Sequence, residues 1–256
     1  MSRREEFLSE MGLAPVWVLR RPPSAASSPA PSPQPSVAEH QAAARESRRE
    51  ESPEPLDSPV SGMQWPELKT AVAQCTACDL CKTRKNTVFG VGAESSEWMI
   101  VGEAPGAEED ERGEPFVGQA GRLLDNMLAS IGLSRGKTGG KGDEANVYIA
   151  NVLKCRPPGN RNPDPAEVAK CSPFLMRQIE LVRPKLILAM GRFAAQSLLN
   201  SDASIASMRG KTFRTRGVTT VVTYHPAYLL RNLPDKAKAW EDLCFARRTL
   251  EREKPV

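Results

Sequence analysis

Histidine is scarce in this sequence: 256 residues hold two, His40 and His225, and aromatic side chains make up only 5% of the chain. No apolar run approaches the roughly 20 residues that cross a bilayer. The N-terminus, MSRREEFLSE, lacks the apolar core of a secretory leader. These shortages predict a soluble, cytoplasmic protein without membrane-spanning helices. In a reducing compartment the six cysteines are not expected to form a disulfide framework, which makes metal binding the leading reading of them. Charge imbalance is also small. With 35 Lys and Arg against 31 Asp and Glu the formal net charge is +4, compatible with a nucleic-acid partner but not diagnostic of one.

What is present divides the chain into three parts. Residues 1–20 carry a short amphipathic pattern, Glu5 to Met11, followed by Pro15-Val16-Trp17-Val18-Leu19. Residues 21–60 hold nine of the twenty-two prolines among Ser, Ala and Glu, with no apolar periodicity, as expected of a disordered linker. The folded domain is expected over 63–256, after a linker spanning 21–62. Within it, apolar runs at Trp98–Val101, Val147–Lys154, Pro184–Gly191 and Val218–Tyr224 read as buried strands. Helical patterns lie between them: Trp65 to Cys75, Ala120 to Ile131, a helix opening at Asp164-Pro165 and broken at Pro173, a second from Phe174 to Val182, Arg192 to Leu199, and Lys236 to about Glu251. Alternating strands and helices predict an α/β fold with a central, mostly parallel four-stranded sheet covered on both faces. The acidic run Glu108–Glu111 and the stretch Ile205 to Thr215 read as loops. Gly132-Leu-Ser-Arg-Gly136-Lys137-Thr138 imitates a phosphate-binding loop but has three residues between its glycines instead of four and follows a helix.

Cys75 and Cys78 form a C-x2-C pair, and Cys155 and Cys171 follow far downstream with fifteen residues between them. Four thiolates are what zinc or an iron–sulfur cluster requires, and spacing alone leaves both open. Cys81 lies close enough to substitute for a neighbour. Cys244, on a helix face with Leu243 and Ala246, reads as a small core residue.

The strand ends carry the remaining chemistry. His225, the only histidine of the folded domain, follows the last strand directly. Asn151 is a polar residue in an apolar strand and must find hydrogen-bond partners. Glu103 sits just past the first strand in the turn Gly102-Glu103-Ala104-Pro105-Gly106, and Phe116 stands between Pro115 and Val117-Gly118. In an open α/β sheet such positions share the carboxyl edge, where ligands bind. An aromatic face, an amide and an imidazole suit a flat heterocycle.

The segments GEAPGAEED, PFVGQAGRLLD, NVLKCRPPGNRNP and HPAYLLR, in this order with cysteines at 75, 78, 155 and 171, resemble the family-4, iron–sulfur uracil-DNA glycosylases. The resemblance covers about Trp65 to the last helix and implies the three-layer α/β/α fold of that superfamily. It implies a structural [4Fe-4S] cluster on Cys75, Cys78, Cys155 and Cys171, with Cys81 a spare. Lys154, Arg156 and Arg161, in the loop the cluster would order, would approach phosphates. Phe116 would stack on uracil, Asn151 would read its N3–H and O4 edge, backbone groups at Glu103–Ala104 would line the pocket, and His225 would hydrogen-bond O2. Glu103 or Glu109, with Asp110 left open, would stabilise the sugar cation or position water. Leu229 or Leu230 would wedge the minor groove and Arg231 would hold phosphate. The implied activity is monofunctional: hydrolysis of the N-glycosidic bond of uracil in DNA, leaving an abasic site. The alternatives are a non-catalytic, metal-stapled DNA-binding or polymerase accessory module, and a glycosylase aimed at another deaminated base. Apart from the resemblance, residues 1–20 read either as a tethered peptide that docks on the main domain or on a repair or replication partner, or as a poorly ordered tail, and the chain is expected to be a monomer.

Overall fold

A computed structural model describes residues 60–136 and 146–252, all within one unit, Ser52–Val256. The expected helix at Glu5–Met11, the linker up to residue 59, His40, and the loop from residue 137 to 145 lie outside the described residues. No helix among the described residues is long and apolar enough to cross a membrane.

Four strands form the parallel centre of the sheet: β2 (Trp98–Gly102), β3 (Val147–Asn151), β4 (Leu186–Met190) and β6 (Val218–Thr223). They are the four runs expected from sequence, and β2, β3 and β4 are buried at every residue, as a sheet covered on both faces demands. Two short antiparallel strands extend the edges, β1 (Val91–Gly92) against β3 and β5 (Thr212–Thr215) against β6. The sheet is therefore six-stranded, in the order β1-β3-β2-β4-β6-β5. β5 replaces part of the expected loop at 205–215. It turns into β6 through Arg216 and Gly217, both with positive φ (46° and 81°), which matches the twist of a two-residue hairpin.

Alternate strand residues face two separate cores. Ile100, Val147, Ile149, Leu186, Leu188 and Val221 pack on one side with Leu124 and Leu128 of α3 (Gln119–Ala129) and Leu243, Ala246 and Leu250 of α8 (Asp235–Arg252). Met99, Val101, Tyr148, Ile187, Ala189 and Val222 pack on the other with α4 (Pro165–Val182) and α5 (Arg192–Leu199). The result is the expected three-layer α/β/α arrangement.

Three elements differ from expectation. Pro173 does not break α4. A proline removes one intrahelical bond, but Cys171 before it and Phe174, Leu175, Ile179 and Val182 after it share one buried face, which holds both halves in register. The helix begins at Asp164, whose carboxylate accepts from Ala166 N (2.8 Å) while Glu167 reaches back to Asp164 N (3.0 Å). The acidic run is also helical, α2 (Ala107–Arg112), ended by Gly113 in the left-handed region. A short helix, α6 (Ile205–Met208), precedes β5. α1 (Trp65–Ala73) and Val60 pack in a third cluster with Leu80, Leu153, Cys155, Cys171 and Phe174.

Candidate base-recognition pocket and thiol site

The parallel strands all end on one edge of the sheet. β2 delivers Glu103, β3 delivers Asn151, β4 delivers Arg192, and β6 delivers Tyr224 and His225. A cavity of about 780 Å³ opens at that edge, and these residues line it together with Ala104, Glu109, Phe116 and Arg231. Glu103, Ala104, Phe116, Asn151 and His225, singled out from sequence, are thus brought together.

The pocket is built around a missing side chain. A Cβ on Gly102 would lie 2.4 Å from Asn151 Oδ1 and 2.6 Å from Phe116 Cζ. Glycine at the end of β2 is what lets the amide and the ring stand side by side. Asn151 is 2% exposed, and its Oδ1 is buried without a hydrogen-bond partner. Such an oxygen costs about 1–3 kcal/mol unless something completes it. Phe116 is held at φ 55°, a strained conformation for an aromatic residue. Two contacts maintain it. Gly121 of α3 lets the helix approach the Phe116 carbonyl where a Cβ would come within 1.7 Å. The Glu109 carboxylate, through Oε1, accepts from Val117 N (2.9 Å) and Gly118 N (3.1 Å), just after the ring.

His225 caps the short helix α7 (Pro226–Arg231): its Nδ1 accepts from Ala227 N at 3.1 Å. With Nδ1 an acceptor, the proton of the neutral ring is on Nε2. Burial pushes the imidazole pKa down to about 4, and Arg231 acts in the same direction against a smaller opposing pull from Glu109. His225 is therefore a neutral donor at ordinary pH. Its ring lies 5.5 Å from that of Phe116, inclined by 28°.

The carboxylates differ in what holds them. Glu109 takes a third backbone donor, Gly106 N at 3.1 Å on Oε2, so most of its acceptor capacity is used in fixing the loop. Among the described residues no hydrogen bond holds the Glu103 carboxyl. Burial raises its pKa, and Arg192 opposes the rise. Asp110 faces away from the pocket, accepting from the backbone of Lys85 (2.9 Å) and Asn86 (3.3 Å), which removes it from the candidate carboxylates.

Two residues expected at DNA are placed elsewhere. Leu229 is 1% exposed, inside α7, and cannot wedge a base step; Leu230, at 38%, stands outward. Lys154 is 1% exposed rather than free to meet phosphate. Its Nζ donates to the Asn151 carbonyl (2.7 Å) and to Gln178 Oε1 (2.6 Å), tying the strand end that carries the amide to α4. Arg161 lies at the pocket rim in a forked pair with Glu167, and Arg156 is half-buried against Asn160 Oδ1 (2.7 Å).

Cys75, Cys78, Cys155 and Cys171 line one small apolar cavity with Val72, Leu80, Leu153 and Phe174; Cys81 is not part of its lining. Cys155 Sγ accepts from Arg84 Nη1 (3.0 Å), whose other nitrogen binds the Cys75 carbonyl (2.8 Å), and Cys171 Sγ accepts from Lys154 N (3.2 Å). Such donors suit sulfurs that carry negative charge. Among the described residues no three His, Cys, Asp or Glu side chains are grouped tightly enough to hold a single metal ion. The four thiols nevertheless line one cavity, so these are the residues present to hold a sulfur-ligated group. Cys244 is half-buried in α8.

Sequence reasoning missed Arg192 and Tyr224 in the pocket wall and Arg84 at the thiols, while Tyr228, expected only as part of the segment Tyr228–Arg231 that reaches the minor groove, also lines the pocket. Arg192 and Tyr224 stand just past strand ends, the signal that had singled out His225; nothing local marks Arg84.

A layered α/β domain with these groups at its carboxyl edge defines the class of fold, and comparison with known proteins gives the family. Residues 89–244 match the uracil DNA glycosylase superfamily. The chain is 48% identical to the type-4 uracil-DNA glycosylase of Archaeoglobus fulgidus over 172 residues, covering 64% of this chain and 82% of that protein. It is 40% identical to the type-4 enzyme of Pyrobaculum aerophilum over 191 residues, 72% of this chain and 93% of the relative. With the type-4 enzyme of Thermotoga maritima it shares 41% over 186 residues, 71% and 92% of the two chains. The chain belongs to the uracil-DNA glycosylase superfamily and, within it, to the type-4 family.

Proposed function

We propose that this protein is a monofunctional uracil-DNA glycosylase that hydrolyses the N-glycosidic bond of uracil in DNA and leaves an abasic site for base excision repair. The observation that carries the reading is the unpartnered Asn151 Oδ1, buried in a pocket with the Phe116 ring and the Nε2–H of a neutral His225. A non-catalytic binding module has no use for that combination.

A base in a duplex must leave the stack, at a cost of a few kcal/mol, to enter such a pocket. Phe116 then stacks on uracil. Asn151 Oδ1 accepts from N3–H while its amide nitrogen donates to O4. Backbone at Glu103–Ala104 closes one wall, and the Glu103–Glu109 loop excludes the C5 methyl of thymine. Contact preference alone gives only about 1–3 kcal/mol per methyl, so this rejection depends on a clash. As the bond breaks, negative charge gathers on uracil O2, and the His225 Nε2–H meets it as one oxyanion donor worth about 3–4 kcal/mol. Glu103, with no donor on its carboxyl among the described residues, faces the sugar cation or the attacking water. Glu109 acts by holding the loop that carries Phe116. Leu230, Arg231, Arg161 and Arg156 contact the DNA.

Among the described residues no lysine lines the pocket, which leaves no amine to form an imine with the sugar and cut the strand. Cys75, Cys78, Cys155 and Cys171 would hold one [4Fe-4S] cluster, whose contribution is structural: it staples α1 to the loop after β3. The glycosylase domain is assigned to 63–256, joined through a linker at 21–62 to a segment at 1–20 that docks a repair or replication protein. The enzyme acts as a cytoplasmic monomer. The test is an oligonucleotide carrying one uracil beside a thymine control. Release of uracil alone, with the backbone intact until alkali treatment, is expected; strand cutting by highly purified enzyme overturns the monofunctional assignment.

A further inference from the structure

The cavity is larger than one base requires. Its volume, about 780 Å³, belongs to the range that accommodates drug-sized ligands, whereas uracil is a single six-membered ring. The wall beyond the uracil residues holds Tyr224 and Tyr228, one just before and one three residues after His225. Their rings stack on each other at 5.1 Å, inclined by 17°.

This pair is braced on both sides. The Arg209 guanidinium lies over Tyr224, 5.1 Å from its centroid, and is itself fixed by Asp242 Oδ2 at 2.7 Å. The Tyr228 hydroxyl donates to Asp235 Oδ2 at 2.6 Å, and Tyr228 N donates to the His225 carbonyl at 2.9 Å. Both rings are half-buried. An aromatic pair held this rigidly beside a base pocket, with the Arg231 cation on the same wall, has the composition of a single-strand stacking platform.

Extruding a base supplies the reason for one. When uracil leaves the strand, the neighbouring base loses the stacking partner on that side. We propose that Tyr228, backed by Tyr224, stacks on the base of a nucleotide adjacent to uracil in the same strand, with Arg231 meeting the phosphate between them. The ligand class is a dinucleotide step of single-stranded or locally unpaired DNA, in which uracil occupies one subsite and its neighbour, of any sequence, the other. This rests on the glycosylase reading above.

The experiment uses the full-length, anaerobically purified protein and three single-stranded oligonucleotides. One carries uracil between ordinary bases. The other two replace the 5′ or the 3′ neighbour by a tetrahydrofuran residue, which keeps the backbone and removes the base. Stacking of one base corresponds to about 5- to 150-fold. The parent should therefore lose at least fivefold in kcat/KM on one of the two modified strands. Tyr228→Leu should process all three strands alike, and Tyr228→Phe, which keeps the ring and loses the hydroxyl, should restore the sensitivity. Equal release by the parent from all three strands overturns the platform while leaving the glycosylase intact, and so does full sensitivity in Tyr228→Leu. No release by the parent from any strand instead defeats the reading on which the platform rests.

Discussion

Gly102→Ala tests the pocket with a single methyl. The backbone there is ordinary strand, so alanine brings no conformational strain of its own. Its Cβ would stand 2.4 Å from Asn151 Oδ1 and 2.6 and 2.8 Å from Phe116 Cζ and Cε2. Ordinary contact begins near 3.5 Å, so the amide and the ring must each retreat by about 1 Å. Overpacking of this kind costs about 1–3 kcal/mol of stability. Misplacing groups at the reacting centre by about 1 Å costs on the order of 100-fold in rate. The expected outcome is a folded protein whose Tm drops by several degrees and whose kcat/KM for uracil release falls about 100-fold, equivalent to about 2.7 kcal/mol. Single-turnover release from a uracil oligonucleotide, beside a thermal melt, measures both. A variant with kcat/KM within threefold of the parent would refute the argument that Asn151 and Phe116 define the base site.

Other expectations follow from the same geometry. His225→Ala should lower kcat by about 100- to 1000-fold, the effect of one oxyanion donor, with a smaller effect on KM. Because the folded imidazole titrates near 4, below its ordinary 6.5, the unfolded chain takes up the proton first as pH falls. The stabilisation is complete above about pH 6.5 and is lost between 6.5 and 4. It amounts to about 3 kcal/mol, and chemical denaturation of the parent and His225→Ala across that window measures it. Glu109→Gln places an amide where a carboxylate now accepts three backbone donors, and should weaken stacking through Phe116, seen as at least a tenfold loss of kcat/KM. Cys155→Ala and Cys171→Ala should each abolish the brown colour and the content of about four irons per chain, and lower Tm; unchanged iron would remove those residues from the ligand set.

The legible parts of the fold were those whose burial is written in composition. β2, β3 and β4 read clearly because every residue in them is buried and all but Asn151 belong to apolar runs. Val88–Gly92 reads as a short extended segment, and β1 is its last two residues, too short to be counted as a strand; β5 escaped because its sequence, TFRT, is largely polar and only Thr215 is fully buried. α2 escaped because four consecutive acids hide which of them turns inward; only the structure shows Glu109 and Asp110 serving two different loops. Leu229 and Leu230 are adjacent, and helical phase alone decides that one is core and the other surface. Lys154 reads as a surface cation because lysine almost always is one. Its burial depends on Gln178 and the Asn151 carbonyl, partners that sequence does not bring together. At the site, strand ends revealed Glu103, Asn151 and His225 but not which nitrogen of the imidazole carries the proton, which Ala227 N decides.

The most direct measurement compares the parent with an Asn151→Ala, His225→Ala double variant, both purified anaerobically, on a single-stranded oligonucleotide carrying one uracil. Free uracil, alkali-labile sites and DNA binding are followed together. The account predicts uracil release by the parent and binding without release by the double variant. Absence of release by a parent sample with full iron content, or release by the double variant at the parent's rate, would contradict it.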